Sequence, residues 1–183
     1  MTRRVTKAVN VGSVKVGGDA PITVQSMTKT DTRDVKATVN QILELEDTGC
    51  EIIRCAVPDM EAANALSAIK KEIHIPLVAD IHFHYQLALE SLRQGVDCLR
   101  LNPGNIRDAD KVREVVREAK KREVPIRIGV NFGSLPPVGA IGKTRGLHRH
   151  VDGVNILEKG SQASGSGETI SVVDHMVATA LWE

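Results

Sequence analysis

Four short apolar runs carry polar side chains at strand spacing: EIIRCAVP (51–58), PLVADIHF (76–83), CLRLNPGN (98–105) and PIRIGVN (125–131). The polar positions are Arg54, then Asp80 and His82, then Arg100 and Asn102, then Arg127 and Asn131. Residues two or four apart on a strand point to one face. An isolated arginine near a strand end is usually a surface residue, but three at equivalent ends make a pattern. Guanidinium groups hold phosphate through paired, charge-assisted hydrogen bonds. Three converging arginines suit a diphosphate better than a single carboxylate. Asn102 and Asn131 can donate amide protons to the same oxygens, and the turn Asn102-Pro103-Gly104-Asn105 can turn backbone N–H groups toward an anion. His82, beside Asp80 on the same face, is a candidate acid, base or substrate donor. Asp80 can equally orient His82 or pair with an arginine. A metal at this pair would need further ligands, and none is placed to supply them, so no metal residue is assigned.

The elements that must position these groups follow from periodicity. Residues 9–18 alternate and break at Gly12 and Gly17-Gly18, the pattern of a small hairpin. PITVQSM (21–27) reads as the first core strand, and Thr30 or Asp31 as the cap of a helix running to Thr48 and stopping at Gly49. Its apolar positions Val35, Val39, Ile42 and Leu45 keep the helical period. The four polar-tipped runs are the next strands. Helices fill the gaps: Met60 to about Ile73, His84 to Arg93, and Ile106 to Arg122 with Val112, Val115, Val116 and Ala119 on its inner face. Strands start about 22 to 30 residues apart, the length of one strand and one crossover helix. Strict alternation implies parallel strands with right-handed crossovers. An open doubly wound sheet and a (β/α)8 barrel both fit. No Gly-x-Gly-x-x-Gly follows the first strand, which counts against a dinucleotide fold. Polar residues at successive strand ends favour the barrel, whose sites lie at that face. The hairpin is then expected to plug the opposite end.

Bulk properties exclude several classes. The 183 residues imply one domain by default, and 42% hydrophobic content is globular. Net charge is +1, from 24 basic and 23 acidic residues, so neither nucleic acid nor an anionic membrane is an expected partner. Aromatics are 2% of the chain, too few for base stacking. No apolar run reaches the roughly 20 residues of a membrane span, and the N-terminus lacks a signal-peptide core, so a cytoplasmic protein is expected. Cys50, Cys55 and Cys98 form no Cys-x-x-Cys pair and read as buried thiols. Lys120, Lys121 and Arg122 complement the end of a helix. His148 and His150 receive no role.

Five strands fall short of a complete barrel, which takes about 250 residues. Residues 138–171 read as irregular, with Gly and Ser at 160–167, and 172–183 as the start of a helix. That helical pattern stops at Glu183 without a terminating signal, so a fragment is expected.

The stretches PITVQSMTKTDTRDVKATVNQI, IIRCAVPDMEAA, PLVADIHFHYQLAL, GVDCLRLNPGNI and PIRIGVNFGSLPP resemble the N-terminal part of the 4-hydroxy-3-methylbut-2-enyl diphosphate synthases, over roughly residues 5–137. The resemblance implies a barrel like that of dihydropteroate synthase, here incomplete, with a separate iron–sulfur domain absent. It implies reductive opening of 2-C-methyl-D-erythritol 2,4-cyclodiphosphate with loss of water, in the methylerythritol phosphate route to isoprenoids. It further implies electrons from flavodoxin or ferredoxin through a 4Fe-4S cluster, and a homodimer. Positions equivalent to Arg54, Asp80, His82, Arg100, Asn102, Arg127 and Asn131 line the family's diphosphate pocket. Cys50, Cys55 and Cys98 do not match the family's cluster ligands. A non-catalytic diphosphate-binding module and a non-functional fragment with an exposed sheet edge are the competing readings.

Overall fold

The computed structural model describes residues 5–102, 105–106 and 108–129. Asn131, the stretch 138–171 and the helix expected over 172–183 lie outside them. Among the described residues seven strands and four helices follow in the order β1 (Val9–Val11), β2 (Val14–Val16), β3 (Gln25–Met27), α1 (Val35–Asp47), β4 (Ile52–Ala56), α2 (Met60–Glu72), β5 (Leu77–Ile81), α3 (Tyr85–Arg93), β6 (Cys98–Leu101), α4 (Ala109–Lys121) and β7 (Ile126–Ile128).

β1 and β2 pair antiparallel as a hairpin. The other five strands form one sheet in the order β3-β4-β5-β6-β7. β3, β4, β5 and β6 run parallel, with Met27 beside Arg54, Ala56 beside Asp80, and Asp80 beside Arg100. An unreversed order separates this sheet from the doubly wound alternative, whose strand order turns back at a switch point. Successive helices pack on one another, α1 on α2, α2 on α3 and α3 on α4. They cover one face of the sheet, where Ile53, Cys55, Leu77, Ala79 and Leu99 are fully buried. Burying each large aliphatic side chain there is worth about 1.5–3 kcal/mol.

The opposite face has two layers. In the lower one Val11, Ile52, Val78 and Cys98 form an apolar cluster, with Val14 and Val16 packed against it. The hairpin therefore sits against the N-terminal halves of β4, β5 and β6, as expected of a plug. Its turn depends on Gly12, at φ +54°, where a Cβ would lie 2.9 Å from Asp97 Oδ1. Asp97 in turn pairs with Lys70 and accepts the Leu77 N–H at 2.8 Å. One carboxylate thus joins the hairpin turn, α2 and the start of β5. The upper layer holds the charged residues described below.

Several expected boundaries shift. The first core strand covers only Gln25–Met27, and Ile22 ahead of it is 86% exposed. The cap of α1 is Asp34, which accepts the Ala37 N–H at 3.0 Å, rather than Thr30 or Asp31. Asp31 instead pairs with Arg33 at 2.6 Å, and Thr30 bonds the Thr38 hydroxyl at 2.9 Å. Asp59 and Asp108 cap α2 and α4 in the same manner as Asp34. On α4, Val115 and Ala119 are buried, but Val116 is 46% exposed and so is not on the inner face. Val115 and Val116 are adjacent, 100° apart on the helix, so a narrow contact stripe keeps only one of them. Among the described residues no helix is long and apolar enough to cross a membrane.

Two compact units are distinguished, Met1–Leu101 with Asp108–Arg127, and Asn102–Arg107 with Ile128–Glu183. In the second, the described feature is a turn in which the Asn102 carbonyl accepts the N–H groups of Asn105 (3.0 Å) and Ile106 (3.3 Å).

Candidate functional site

Asp80 is the centre of the upper layer. It lies on β5, the fully buried middle strand, and is 2% exposed. A lone carboxylate there would be costly, and it is paired three ways. Arg100 Nη1 donates to Oδ1 at 3.0 Å from the adjacent strand β6, and its own side chain is 6% exposed. His82 Nε2 lies 3.3 Å from the same oxygen, two residues along the chain. Arg54 Nε lies 3.3 Å from Oδ2, from β4 on the other side. That last contact is a charge contact without hydrogen-bond alignment: among the described residues the buried Arg54 Nε–H has no hydrogen-bond partner. The Arg54 head also touches the Met27 thioether, Nη2 to Sδ 3.2 Å. Arg54 therefore has an unsatisfied donor at the core of the cluster, and its side chain remains 28% exposed.

Arg127 arrives from β7. Its Nη1 donates to the side-chain oxygen of Gln25 on β3, the opposite edge of the five-stranded sheet. Side chains of the first and last strands can meet in this way only if the sheet curls, which is the curvature of a barrel wall. Gln25 shares its face with Met27, two residues on, and hence with Arg54. The pattern of polar strand ends missed Gln25, because a neutral amide inside PITVQSM does not stand out. Its spacing of two from Met27 was the available signal.

The expected residues therefore divide as follows. Arg54, Asp80, His82 and Arg100 form one connected cluster. Arg127 is held by Gln25, which shares a face of the sheet with Arg54. Asn102 is buried immediately after β6, with its carbonyl anchoring the turn of the second unit. Among the described residues three guanidinium groups, of Arg54, Arg100 and Arg127, stand with the one carboxylate of Asp80. Phe83 is exposed and meets the His82 ring edge-on, with centroids 6.1 Å apart.

The described cysteines do not fit an iron–sulfur cluster. Cys55 lies on the helix-covered face, and Cys98 lies among Val11, Ile52 and Val78 on the other. Burial pushes both thiols up to about 11, against the thiolate form that ligation requires. Cys50 Sγ donates to the Ile52 carbonyl at 3.1 Å. Among the described residues no three His, Cys, Asp or Glu side chains converge as a metal site.

Comparison with known proteins bears on the fold and the family. Two solved dihydropteroate synthases share the fold. That of Yersinia pestis has a TM-score of 0.51 at 11% identity, covering 66% of this chain and 45% of that one. That of Vibrio fischeri has 0.50 at 12% identity, covering 67% and 48%. The sheet is accordingly part of a (β/α)8 barrel. Among curated proteins, 4-hydroxy-3-methylbut-2-en-1-yl diphosphate synthase (flavodoxin) of Dehalococcoides mccartyi is 63% identical over 136 residues, 74% of this chain and 39% of the relative. The synthase of the same name from Thermodesulfovibrio yellowstonii is 63% identical over 134 residues, 73% and 38%. That of Ectopseudomonas mendocina is 61% identical over 133 residues, 73% and 36%. The chain thus spans less than two fifths of the length of these relatives. The family profile described as the GcpE TIM-barrel domain matches residues 6–147, the stretch that carries every strand of the curled sheet, and the chain belongs to that family.

Proposed function

We propose that this chain is the diphosphate-holding barrel portion of a 4-hydroxy-3-methylbut-2-en-1-yl diphosphate synthase. The observation that carries the reading is the buried Asp80 carboxylate with Arg54, His82 and Arg100 gathered around it, and an Arg54 N–H left unsatisfied there. The Arg54 side chain, 28% exposed, is open to a phosphate oxygen at its guanidinium end. In this reading Arg54, Arg100 and Arg127 hold the diphosphate of 2-C-methyl-D-erythritol 2,4-cyclodiphosphate, with Asn102 and Asn131 as further donors. Asp80 orients the arginines and His82. His82, half exposed at the mouth, is the group that can pass a proton to a departing hydroxyl, since ring opening loses water. The relatives' names specify flavodoxin, which we carry to this protein as its electron donor, with ferredoxin as the other small carrier of that chemistry. A homodimer acting in the cytoplasm belongs to the same reading. The redox step is assigned to no described residue.

Calorimetric titration of the chain with the cyclodiphosphate tests this. Saturable binding is expected, competed by inorganic pyrophosphate. Arg100→Ala should weaken it by about 2–5 kcal/mol, the cost of truncating one member of a buried charge pair. No binding by the unaltered chain would sink the reading. A second reading, a module that binds the diphosphate without turning it over, is favoured by the scatter of the described thiols on opposite faces. Iron content and visible absorption of the purified chain separate the two.

A further inference from the structure

We propose that Gln25 is a positioning residue that holds Arg127 in the anion site while leaving its charge undiminished. The proposal rests on the diphosphate reading of that site. The three candidate arginines are held by two different kinds of group. Arg54 and Arg100 share the carboxylate of Asp80, which orients them and cancels one of their two charges. Arg127 donates instead to the neutral side-chain oxygen of Gln25. A carboxylate at that position would grip the guanidinium more tightly, but it would also repel a phosphate. An amide accepts the same hydrogen bond and adds no charge.

The geometry gives this contact a second consequence. Gln25 and Arg127 are 102 positions apart and stand on the two edge strands of the described sheet. Arg127 therefore reaches its place only when the sheet is curled. Gln25 also shares a face with Met27, whose sulfur touches Arg54. A single short strand, β3, thus supports two of the three arginines with groups that carry no charge. Site strength is set by which partner each arginine is given, as well as by the number of arginines.

The test compares the unaltered full chain with Gln25→Met and Gln25→Glu. Each is titrated calorimetrically with inorganic pyrophosphate and melted without ligand. Gln25→Met keeps the length of the side chain and removes the acceptor, and should bind about tenfold more weakly. Gln25→Glu should melt at or above the temperature of the unaltered chain, because an ion pair replaces a neutral bond across the sheet. It should nonetheless bind pyrophosphate about a hundredfold more weakly. A merely structural tie between edge strands gives the opposite result, a stable Gln25→Glu with full affinity, and that overturns the proposal. If Gln25→Met does not fold, the Gln25→Glu comparison decides alone. Should the unaltered chain bind and Arg100→Ala lose affinity while both Gln25 variants bind normally, only this proposal falls. If the unaltered chain does not bind pyrophosphate, the diphosphate reading falls and this one with it.

Discussion

Replacing Asp80 by Asn separates two effects of one carboxylate. Asp80 and Arg100 are both nearly excluded from water, with side chains 2% and 6% exposed and 3.0 Å between charged atoms. Removing one member of such a pair leaves a buried charge without its counterion, at about 3–5 kcal/mol. Asn still offers Arg100 an oxygen, which places the loss near about 3 kcal/mol. Arg54 is more exposed and poorly aligned, so its contact adds less than about 1 kcal/mol. For a chain of this size, about 3 kcal/mol lowers the melting temperature by roughly 6–12 °C. Anion binding should move the other way. A carboxylate roughly 6 Å from a phosphate repels it by about 3 kcal/mol at an effective dielectric of 20. Halved for the open mouth, this leaves about 1.4 kcal/mol, or tenfold in affinity. The variant should therefore melt lower than the unaltered protein without ligand, yet gain roughly 3–6 °C more from saturating pyrophosphate. Differential scanning fluorimetry with and without pyrophosphate reads both quantities. An unchanged ligand-free melting temperature would refute the buried-pair reasoning. A smaller pyrophosphate gain than in the unaltered protein would refute the competition between carboxylate and anion.

Three further outcomes are expected. Burial raises the Glu46 carboxyl, but bonds from the His74 backbone and ring and from the Ile75 N–H outweigh it and hold it below its usual value. A depressed carboxyl stabilises the fold above its unfolded pKa of about 4.3 and loses that contribution as pH falls through the lower folded value. Urea unfolding between pH 6 and pH 3, a range of about three units spanning that value, should show a steeper acid-side loss in the unaltered protein than in Glu46→Gln, and parallel curves would count against it. Cys55 and Cys98, with thiols pushed up to about 11, should resist alkylation at pH 8 in the folded chain and react in urea, where about a quarter of a free thiol is ionised; native labelling at the unfolded rate would contradict their burial. Gly12→Ala combines a positive φ with a Cβ pressed on Asp97, and chemical unfolding should show a loss of about 1–3 kcal/mol. A neutral result would mean that the hairpin turn can relax away from Asp97.

Much of the candidate cluster was legible because strand period is short and strict. Asp80 and His82 are two apart, so one face was assured once the run was a strand, and the structure gathers Arg54, Arg100 and His82 around Asp80. The choice of Asp80 as hub was not legible, since it depends on burial at the centre of the sheet. Gln25 was missed because its role comes from a strand 102 positions away. The cap of α1 was misplaced because Thr30, Asp31 and Asp34 are all competent caps, and the choice follows from where β3 ends and how Asp31 pairs with Arg33. The hairpin was legible locally from its alternation and glycines. Its seat on Ile52, Val78 and Cys98 followed only from the barrel reading, which needs an apolar end to be covered.

The hairpin also constrains the order in which the chain can assemble. Val11 precedes its packing partners Ile52, Val78 and Cys98, which come from three later strands. No stable seat exists for it until β4, β5 and β6 have paired. Contacts over such sequence distances carry a loop-closure cost that slows folding. The parallel strands can recruit one another in sequence, each with its neighbouring helix, while the β1–β2 hairpin waits. The base of the candidate site is therefore sealed late, after the strands that carry its charges have come together.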